Sequence, residues 1–333
     1  MGFERILKRL LEYGVLAPSI YNSQPWKFSL NLDQGVVEIF ADSARTRPSI
    51  LDAKGRDLYL ALGACLEHMA LAAPGLGYEV KEDLFPSDGP RGIAARLSLK
   101  PLPETMPEPL FAALLTRQTH GGKYKPGTVK DIHLERLKHC GTFSPDEKIY
   151  FITEEPALSS LITLLHDLSH EGSGDPNLVA EGARWLTPQR EAPEGLPLDT
   201  LGLPISVKAR FAALGIFGYQ REIKEVSRQT LLRQGHGIEA PAFLLATTTD
   251  ATPGGFFRSG RWQAQLALTL SELELGSQAL HLPITLASGP PALRGIFGAG
   301  PSEEAVFLLR FGQPEIKKWP KTFRRPVEQS ILK

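Results

Sequence analysis

The stretch of sequence that decides the fold reads Ala17-Pro18-Ser19-Ile20-Tyr21-Asn22-Ser23-Gln24-Pro25-Trp26. A helical pattern over residues 3–16 precedes it, and two alternating runs within 27–40 follow it as a predicted strand–turn–strand unit. Pro18 ends the helix, and the short polar side chains of Ser19 and Asn22 can close a turn. A rigid turn of this kind can also present a hydroxyl and an amide to a planar heterocycle. Ordinary turn chemistry explains the same residues equally well.

The segments on either side predict an α+β fold of two related halves. A strongly apolar helix over 57–73 is followed by strand patterns at 78–85 and 94–102, and four prolines between 101 and 109 mark a boundary. Beyond it the patterns predict helices at 111–115, 130–139 and 260–280, and strands at 149–153, 241–249 and 306–312. We expect a first half over 1–105 and a second over 106–333, with a lid or insertion at about 170–240.

Composition excludes several classes of protein. The chain has 333 residues, 42% of them hydrophobic, and its 37 basic residues balance 37 acidic ones, so it lacks the excess positive charge of nucleic-acid and membrane-surface proteins. Cys65 and Cys140 are distant from each other and lack CxxC spacing, which favours free thiols in a reducing compartment. The N-terminus does not read as a signal peptide, and no apolar run is long enough to cross a bilayer. A cytoplasmic location is expected.

Two further stretches suit the binding of a phosphate group. Arg117-Gln118-Thr119-His120-Gly121-Gly122-Lys123-Tyr124 opens the second half, and Lys321-Thr322-Phe323-Arg324-Arg325-Pro326 closes it. A guanidinium can bind phosphate bidentately, a hydroxyl adds a hydrogen bond, and lysine adds charge. Each stretch alone is more typical of a solvated basic turn or tail.

The three stretches together resemble the nitroreductase family of FMN flavoproteins. In that family an APSxxNSQPW-like segment from one half of a dimer contacts the flavin, while an Arg-x-Ser/Thr segment and a basic C-terminal segment hold the FMN phosphate. The basic residue that usually follows two positions after Ser or Thr is replaced here by Gly121, and Lys123 is the candidate substitute. The resemblance therefore implies the following cofactor-binding residues: Pro18, Ser19, Ile20, Asn22, Arg117, Thr119, Lys123, Arg324 and Arg325.

A closer resemblance is to fused, double-nitroreductase-like proteins. Residues in both halves carry it: Asp42, Arg45, Asp52, Gly55, Arg56, Glu181, Trp185, Gly195 and Pro197. It implies a nitroreductase-like fold whose halves form a pseudo-dimer within one chain. The mirror-related site lacks both an RxS/T segment before the first helix and an APSxxN segment in the second half, so we expect one FMN per chain. A monomer and a homodimer both remain open.

The resemblance implies an FMN-dependent oxidoreductase in which the flavin performs the chemistry. NAD(P)H would reduce the flavin, and a nitroaromatic, quinone or similar electron-poor acceptor would reoxidise it through flavin N5 in a ping-pong cycle. An alternative is a flavin-binding or sequestering protein without turnover, and flavin degradation or dehydrogenation is a lesser one. NADH and NADPH are not distinguished.

Other catalytic constellations have little support. His166 and His170 stand one helical turn apart, but they lack the HExxH pattern and a third ligand, so we predict no metal site. The sequence contains no GxSxG, Walker or GxGxxG motif, which argues against hydrolase, P-loop and Rossmann functions.

Overall fold

The first half contains a four-stranded antiparallel sheet with helices against it. The computed structural model describes residues 3–42, 44–45, 52, 54–87, 92–105, 107–141, 144–202, 219–235, 239–316 and 318–332. The sheet order is β1-β2-β4-β3. The elements of this half are α1 (Phe3–Gly14), β1 (Trp26–Asn31), β2 (Val36–Ala41), α2 (Arg56–Ala72), β3 (Tyr78–Leu84) and β4 (Ile93–Pro101).

The second half repeats this plan. Its four antiparallel strands take the order β5-β8-β10-β9. Along the chain, α8 lies between the second and third of these strands, as α2 does in the first half. Its elements are α3 (Ala113–Thr116), α4 (Asp131–Lys138), β5 (Glu147–Ile152), α5 (Ala157–Gly174), α6 (Pro176–Ala183), β6 (Leu186–Thr187), β7 (Leu196–Pro197), α7 (Tyr219–Leu232), β8 (Ala242–Thr248), α8 (Pro253–Glu272), β9 (Gly276–Leu280), α9 (Leu282–Thr285), α10 (Gly289–Phe297) and β10 (Glu304–Gly312). The predicted α+β class is confirmed.

Helices α2 and α8 cross at two glycines, and this crossing joins the halves. A Cβ atom on Gly63 would lie 1.9 Å from the carbonyl oxygen of Phe257, and one on Gly260 would lie 2.1 Å from that of Leu60. Gly63 thus faces a carbonyl three residues before Gly260, and Gly260 faces a carbonyl three residues before Gly63. Only a residue without a side chain allows backbones to approach so closely. The contact is reciprocal, as expected of two elements related by an approximate two-fold axis.

The insertion lies between β5 and β8 and includes α5, β6, β7 and the helices α6 and α7. The lid or insertion predicted at about 170–240 falls within this segment. One small apolar cluster lies wholly within it and is made by Leu186, Leu198, Ile223 and Val226. Leu161 and Leu165 of α5 instead pack into the core of the second half. Residues 203–218 and 236–238 of the predicted lid lie outside the described residues.

The prediction of one helix over 260–280 is wrong at its C-terminal end. Helix α8 ends at Glu272, Glu274 takes a left-handed conformation with φ of 56°, and Gly276–Leu280 forms the edge strand β9. The apolar residues of this stretch fit either element, because short apolar runs do not distinguish helix from strand. Pairing with β10 from Leu280↔Leu308 to Gly276↔Gly312 decides the outcome.

The C-terminal segment returns to the first half. Ile331 forms a parallel bridge with Phe28 of β1, and the amide of Leu332 donates to the carbonyl of Phe28 at 2.7 Å. Lys8 of α1 and Glu328 pair on the surface at 2.5 Å. These contacts hold residues 328–332 against the first half.

The structure also shows the state of the two thiols, the character of the helices and the surroundings of the paired histidines. Cys65 and Cys140 are both free and buried. Of the helices that the structure describes, none combines the length and apolar character needed to span a membrane. The rings of His166 and His170 are in contact at a tilt of 55°, with 4.6 Å between their centroids. Within the described ranges no three His, Cys, Asp or Glu side chains are grouped to hold a metal ion.

We predict that Gly63→Ala destabilises the protein by at least about 2 kcal/mol, because its methyl group collides with backbone that cannot rotate away. Gly295→Ala is the control: a Cβ there meets no atom within 4 Å, and alanine is the better helix former. Denaturant unfolding of both variants measures the difference. Equal stabilities would show that the helix crossing is not tightly packed.

Candidate functional site

A cavity of about 360 Å³ lies where the two halves and the insertion meet. The first half contributes the turn after α1 and the first two turns of α2. The second half contributes the segment after α3, strands β9 and β10 and the C-terminal tail, and the insertion contributes Thr200 and Arg233. Seven of the nine predicted cofactor-binding residues line it: Pro18, Ser19, Ile20, Asn22, Arg117, Thr119 and Arg324.

The turn after α1 is a tight structure with an unusual backbone. Tyr21, Asn22 and Gln24 all have positive φ, at 51°, 56° and 50°, which non-glycine residues rarely adopt. The Ser19 hydroxyl accepts the Gln24 amide at 3.0 Å, and Trp26 is fully buried. The capped-turn interpretation is therefore correct in itself. The same turn also forms one wall of the cavity, so its structural role does not exclude a binding role.

Amide side chains attach this turn to two distant segments. Asn22 Nδ2 donates to the carbonyl of Phe323 at 2.9 Å and to that of Gly195 at 3.3 Å. Gln24 Nε2 donates to the carbonyl of Pro193 at 2.7 Å, while its Oε1 accepts the Arg325 amide at 2.9 Å. The turn thereby positions both the insertion and the C-terminal tail at the cavity.

Arg117 and Arg324 converge on the C-terminal end of α1. Arg117 Nη2 donates to the carbonyl of Leu16 at 3.3 Å. Arg324 donates from Nε to the carbonyl of Val15 at 2.9 Å and from Nη2 to that of Ala17 at 3.3 Å. Carbonyls at a helix C-terminus carry partial negative charge, so they orient cations without neutralising them.

Among the residues that the structure describes, no carboxylate forms an ion pair with either guanidinium group. Arg117 Nε is buried there without a hydrogen-bond partner. Burial lowers the pKa of Arg117 to about 10, and burial together with the charge of Arg117 lowers the pKa of Arg324 to about 9. The chain therefore holds two cations where protein alone disfavours them, and an anion would relieve this cost.

Neighbouring groups do not supply that anion. Burial, then the charge of Arg117, lowers the pKa of His68 to about 3, so this ring is neutral at physiological pH. Asp57 is the one carboxylate among the described residues of the cavity wall, and Arg56 holds it through two hydrogen bonds of 3.0 Å. The cavity is consequently cationic at its Arg117–Arg324 end.

Two predicted residues lie elsewhere. Lys123 is exposed and forms no part of the cavity wall, and Arg325 lies on the far side of Gln24, with Nη1 3.9 Å from Asp42. Arg325 Nη2 donates to the carbonyl of Gln24, so it braces the turn rather than facing the cavity. Each of these residues stands close in sequence to a residue that matches the family motif, Thr119 for Lys123 and Arg324 for Arg325. The direction of the backbone takes both side chains away from the cavity.

Sequence reasoning missed a set of wall residues that tertiary structure alone brings together: Asp57, Leu60, Ala61, Arg233, Gln278, His281 and Arg310. One of them had a visible signal. Arg310 interrupts the apolar run Val306–Phe311, and a charged residue in the middle of a buried strand is rare without a function or a partner.

Comparison with known proteins places this site in a family. The "Putative NAD(P)H nitroreductase Rv3131" of Mycobacterium tuberculosis is 32% identical over 343 residues, covering 98% of this chain and 90% of its own. The chain belongs to the nitroreductase family. A second protein of that organism, "Putative NAD(P)H nitroreductase acg", is 25% identical over 97% of this chain and 94% of its own. No family model matches the chain.

Solved nitroreductase structures overlap with part of the chain. The FMN- and NADPH-dependent nitroreductase NfnB of Sphingopyxis sp. strain HMH aligns with 64% of this chain and 93% of its own, at 18% identity and a TM-score of 0.41. The family assignment rests on the sequence relatives, which match along nearly the whole chain and thus include both halves and the insertion.

We predict that Asn22→Ala destabilises the protein by about 2–3 kcal/mol. It leaves the buried carbonyl of Gly195 and the partly buried carbonyl of Phe323 without this donor, and alanine tolerates a φ of 56° less well than asparagine. Asn177→Ala on the exposed face of α6 is the matched control. Denaturant unfolding compares them, and limited proteolysis should cut the Asn22 variant first near 190–200. Indistinguishable stabilities would show that the turn does not depend on this amide.

Proposed function

We propose that the protein is an FMN-dependent oxidoreductase that uses NAD(P)H to reduce a nitroaromatic, a quinone or a similar electron-poor acceptor. The observation that carries the proposal is the pair of buried guanidinium groups, Arg117 and Arg324, that lines the cavity with no counter-ion among the described residues. Membership of the nitroreductase family supports the reaction class.

A phosphate monoester fits the cationic end of the cavity. It brings close to two negative charges, which match two guanidinium groups held side by side. The Thr119 hydroxyl and the Thr322 and Lys321 side chains lie on the same wall and can supply further hydrogen bonds and charge. Arg324 Nη1 already donates to Thr322 Oγ1 at 2.8 Å, which fixes both side chains in place.

The other end of the cavity fits a flat conjugated ring. Ile20, Leu60 and Ala61 provide apolar surface, while Ser19, Asn22 and Gln278 provide polar groups at its border. Bound FMN would supply the redox chemistry by accepting two electrons from NAD(P)H and passing them to the acceptor. The residues of the chain bind and orient it, and none has to act as nucleophile.

We further propose one FMN per chain within an intrachain pseudo-dimer of residues 1–105 and 106–333. The repeated sheet order and the reciprocal glycine crossing support two related halves. The first half supplies the ring-side turn, whereas the second supplies Arg117, Thr119 and Arg324. Because the partner half is covalently attached, a monomer can hold a complete site, and the two buried free thiols suit a cytoplasmic setting.

The experiment is spectroscopic. Purified protein should be yellow, with one FMN per chain, and NADH or NADPH under anaerobic conditions should bleach it until a quinone or nitroaromatic restores the colour. A colourless protein that also fails to bind added FMN would refute the proposal. Bound FMN that no pyridine nucleotide bleaches would favour the alternative of a flavin-sequestering protein. The insertion residues Thr200 and Arg233 on the cavity wall are the observation that favours testing this alternative.

We predict that Arg117→Ala weakens FMN binding at least about tenfold, because charged hydrogen bonds to phosphate contribute about 1.5–3 kcal/mol. Riboflavin, which lacks the phosphate, should bind the variant and the wild type equally. Arg136→Ala, an exposed residue paired with Glu272 at 3.3 Å, is the control. Equilibrium dialysis measures both ligands, and unchanged FMN affinity would remove Arg117 from the site.

A further inference from the structure

Arg310 is a third buried cation in the cavity wall, and no predicted motif contains it. Its side chain is 1% exposed, although it belongs to the otherwise apolar strand β10. Nε and Nη2 donate to Gln278 Oε1 at 2.9 and 2.6 Å, and Nη2 also donates to the carbonyl of Gly122 at 3.1 Å. The guanidinium lies 5.1 Å from the ring centroid of Tyr124.

The charge of Arg310 has no counter-ion in the part of the chain that the structure describes. All its hydrogen-bond acceptors are neutral, and Nη1 is buried without any partner. Burial lowers the pKa of this side chain, and the charge of Arg233 on the same cavity wall lowers it further, although Tyr124 and Glu239 act in the opposite direction. Guanidinium nevertheless stays protonated in proteins. A buried, unpaired charge of this kind is costly unless a ligand uses it.

Arg310 stands away from the phosphate end of the cavity. It bonds to Gln278 and to the carbonyl of Gly122, whereas Arg117 and Arg324 bond to carbonyls of residues 15–17. Neither Arg117 nor Arg324 is among the charged groups that shift the pKa of Arg310. Gly121 is the position at which the Arg-x-Thr segment lacks a basic side chain. A Cβ there would lie 3.1 Å from the carbonyl oxygen of Thr200, so little room remains for a long side chain from that backbone.

We propose that Arg310 supplies this missing cation from strand β10, with its guanidinium against the conjugated end of bound FMN, where it favours the reduced cofactor. The inference rests on the FMN site proposed above. Reduction by two electrons and one proton adds negative charge to the ring, and a fixed cation in a low-dielectric wall stabilises that charge. Arg310 therefore contributes differential binding, whereas Arg117 and Arg324 bind a phosphate whose charge is the same in both redox states.

This difference between the two sites defines the experiment. The midpoint potential of FMN bound to the holoprotein is measured by anaerobic titration against a reference dye, and dialysis gives the affinity for oxidised FMN. Arg310→Met should weaken binding of reduced relative to oxidised FMN at least tenfold, which lowers the potential by about 30 mV for a two-electron couple. Arg117→Ala should weaken both forms to within about threefold of each other, so its potential should change by less than about 15 mV. Arg136→Met is the surface control.

Gln278→Glu provides a second test that leaves Arg310 in place. It converts the acceptor of two Arg310 hydrogen bonds into a carboxylate of the same shape, which neutralises the cation and should lower the potential in the same direction. This variant keeps the inference testable if Arg310→Met does not fold. Riboflavin bound in place of FMN should show the same loss on Arg310→Met, because it carries the ring without the phosphate.

The outcomes separate the two proposals. Wild-type protein that binds no FMN overturns both. Wild-type protein that binds and turns over FMN, with potentials unchanged in the Arg310 and Gln278 variants, overturns only the assignment of Arg310. A potential that falls equally in the Arg117 variant would show that the shift reflects general loosening of the site, and this too would overturn the assignment.

Discussion

Two guanidinium groups held side by side in a buried wall repel each other, and the rest of the site is arranged around that repulsion. Arg117 and Arg324 are tolerated because the carbonyls at the end of α1 face them. Those carbonyls orient both groups toward the same volume but leave their charge uncompensated. The arrangement requires that α1, the segment after α3 and the C-terminal tail meet at one point, although more than 300 residues separate the first from the last.

The close crossing of α2 and α8 makes that meeting possible. Glycines at 63 and 260 let the two central helices approach until backbone meets backbone, so both sheets are fixed relative to each other. The cavity lies at the joint, and its walls come from both halves. A polar tie through Asn22 and Gln24 then holds the insertion and the tail against the joint. Helix packing therefore fixes the relative position of the two sheets, and hydrogen bonds hold the insertion and the C-terminal tail against them.

Local chemistry explains which parts of this arrangement were visible in the sequence. The turn at 17–26 and the Arg-x-Thr segment could be predicted because their residues act together over a few positions, and their neighbours along the chain set their geometry. Arg310, Gln278 and the α2 residues could not, since only sheet pairing and helix packing bring them to the cavity. Lys123 and Arg325 show the limit of prediction from motifs: each lies within two positions of a wall residue in sequence, yet its side chain is not part of the cavity wall. The strand at 276–280 could not be predicted either, because its pairing with β10, and not local propensity, determines its conformation.

The docking of residues 331–332 onto β1 couples the cavity wall to the edge of the first sheet. Ile331 bridges Phe28, the amide of Leu332 donates to the carbonyl of Phe28, and Arg324 lies seven residues before this anchor. Strand β1 is the outer strand of its sheet, and outer elements are the ones that open most readily by local unfolding. Fraying of β1 would therefore loosen the segment that carries Arg324 and change the charge that faces the cavity, although no residue of the wall itself had moved.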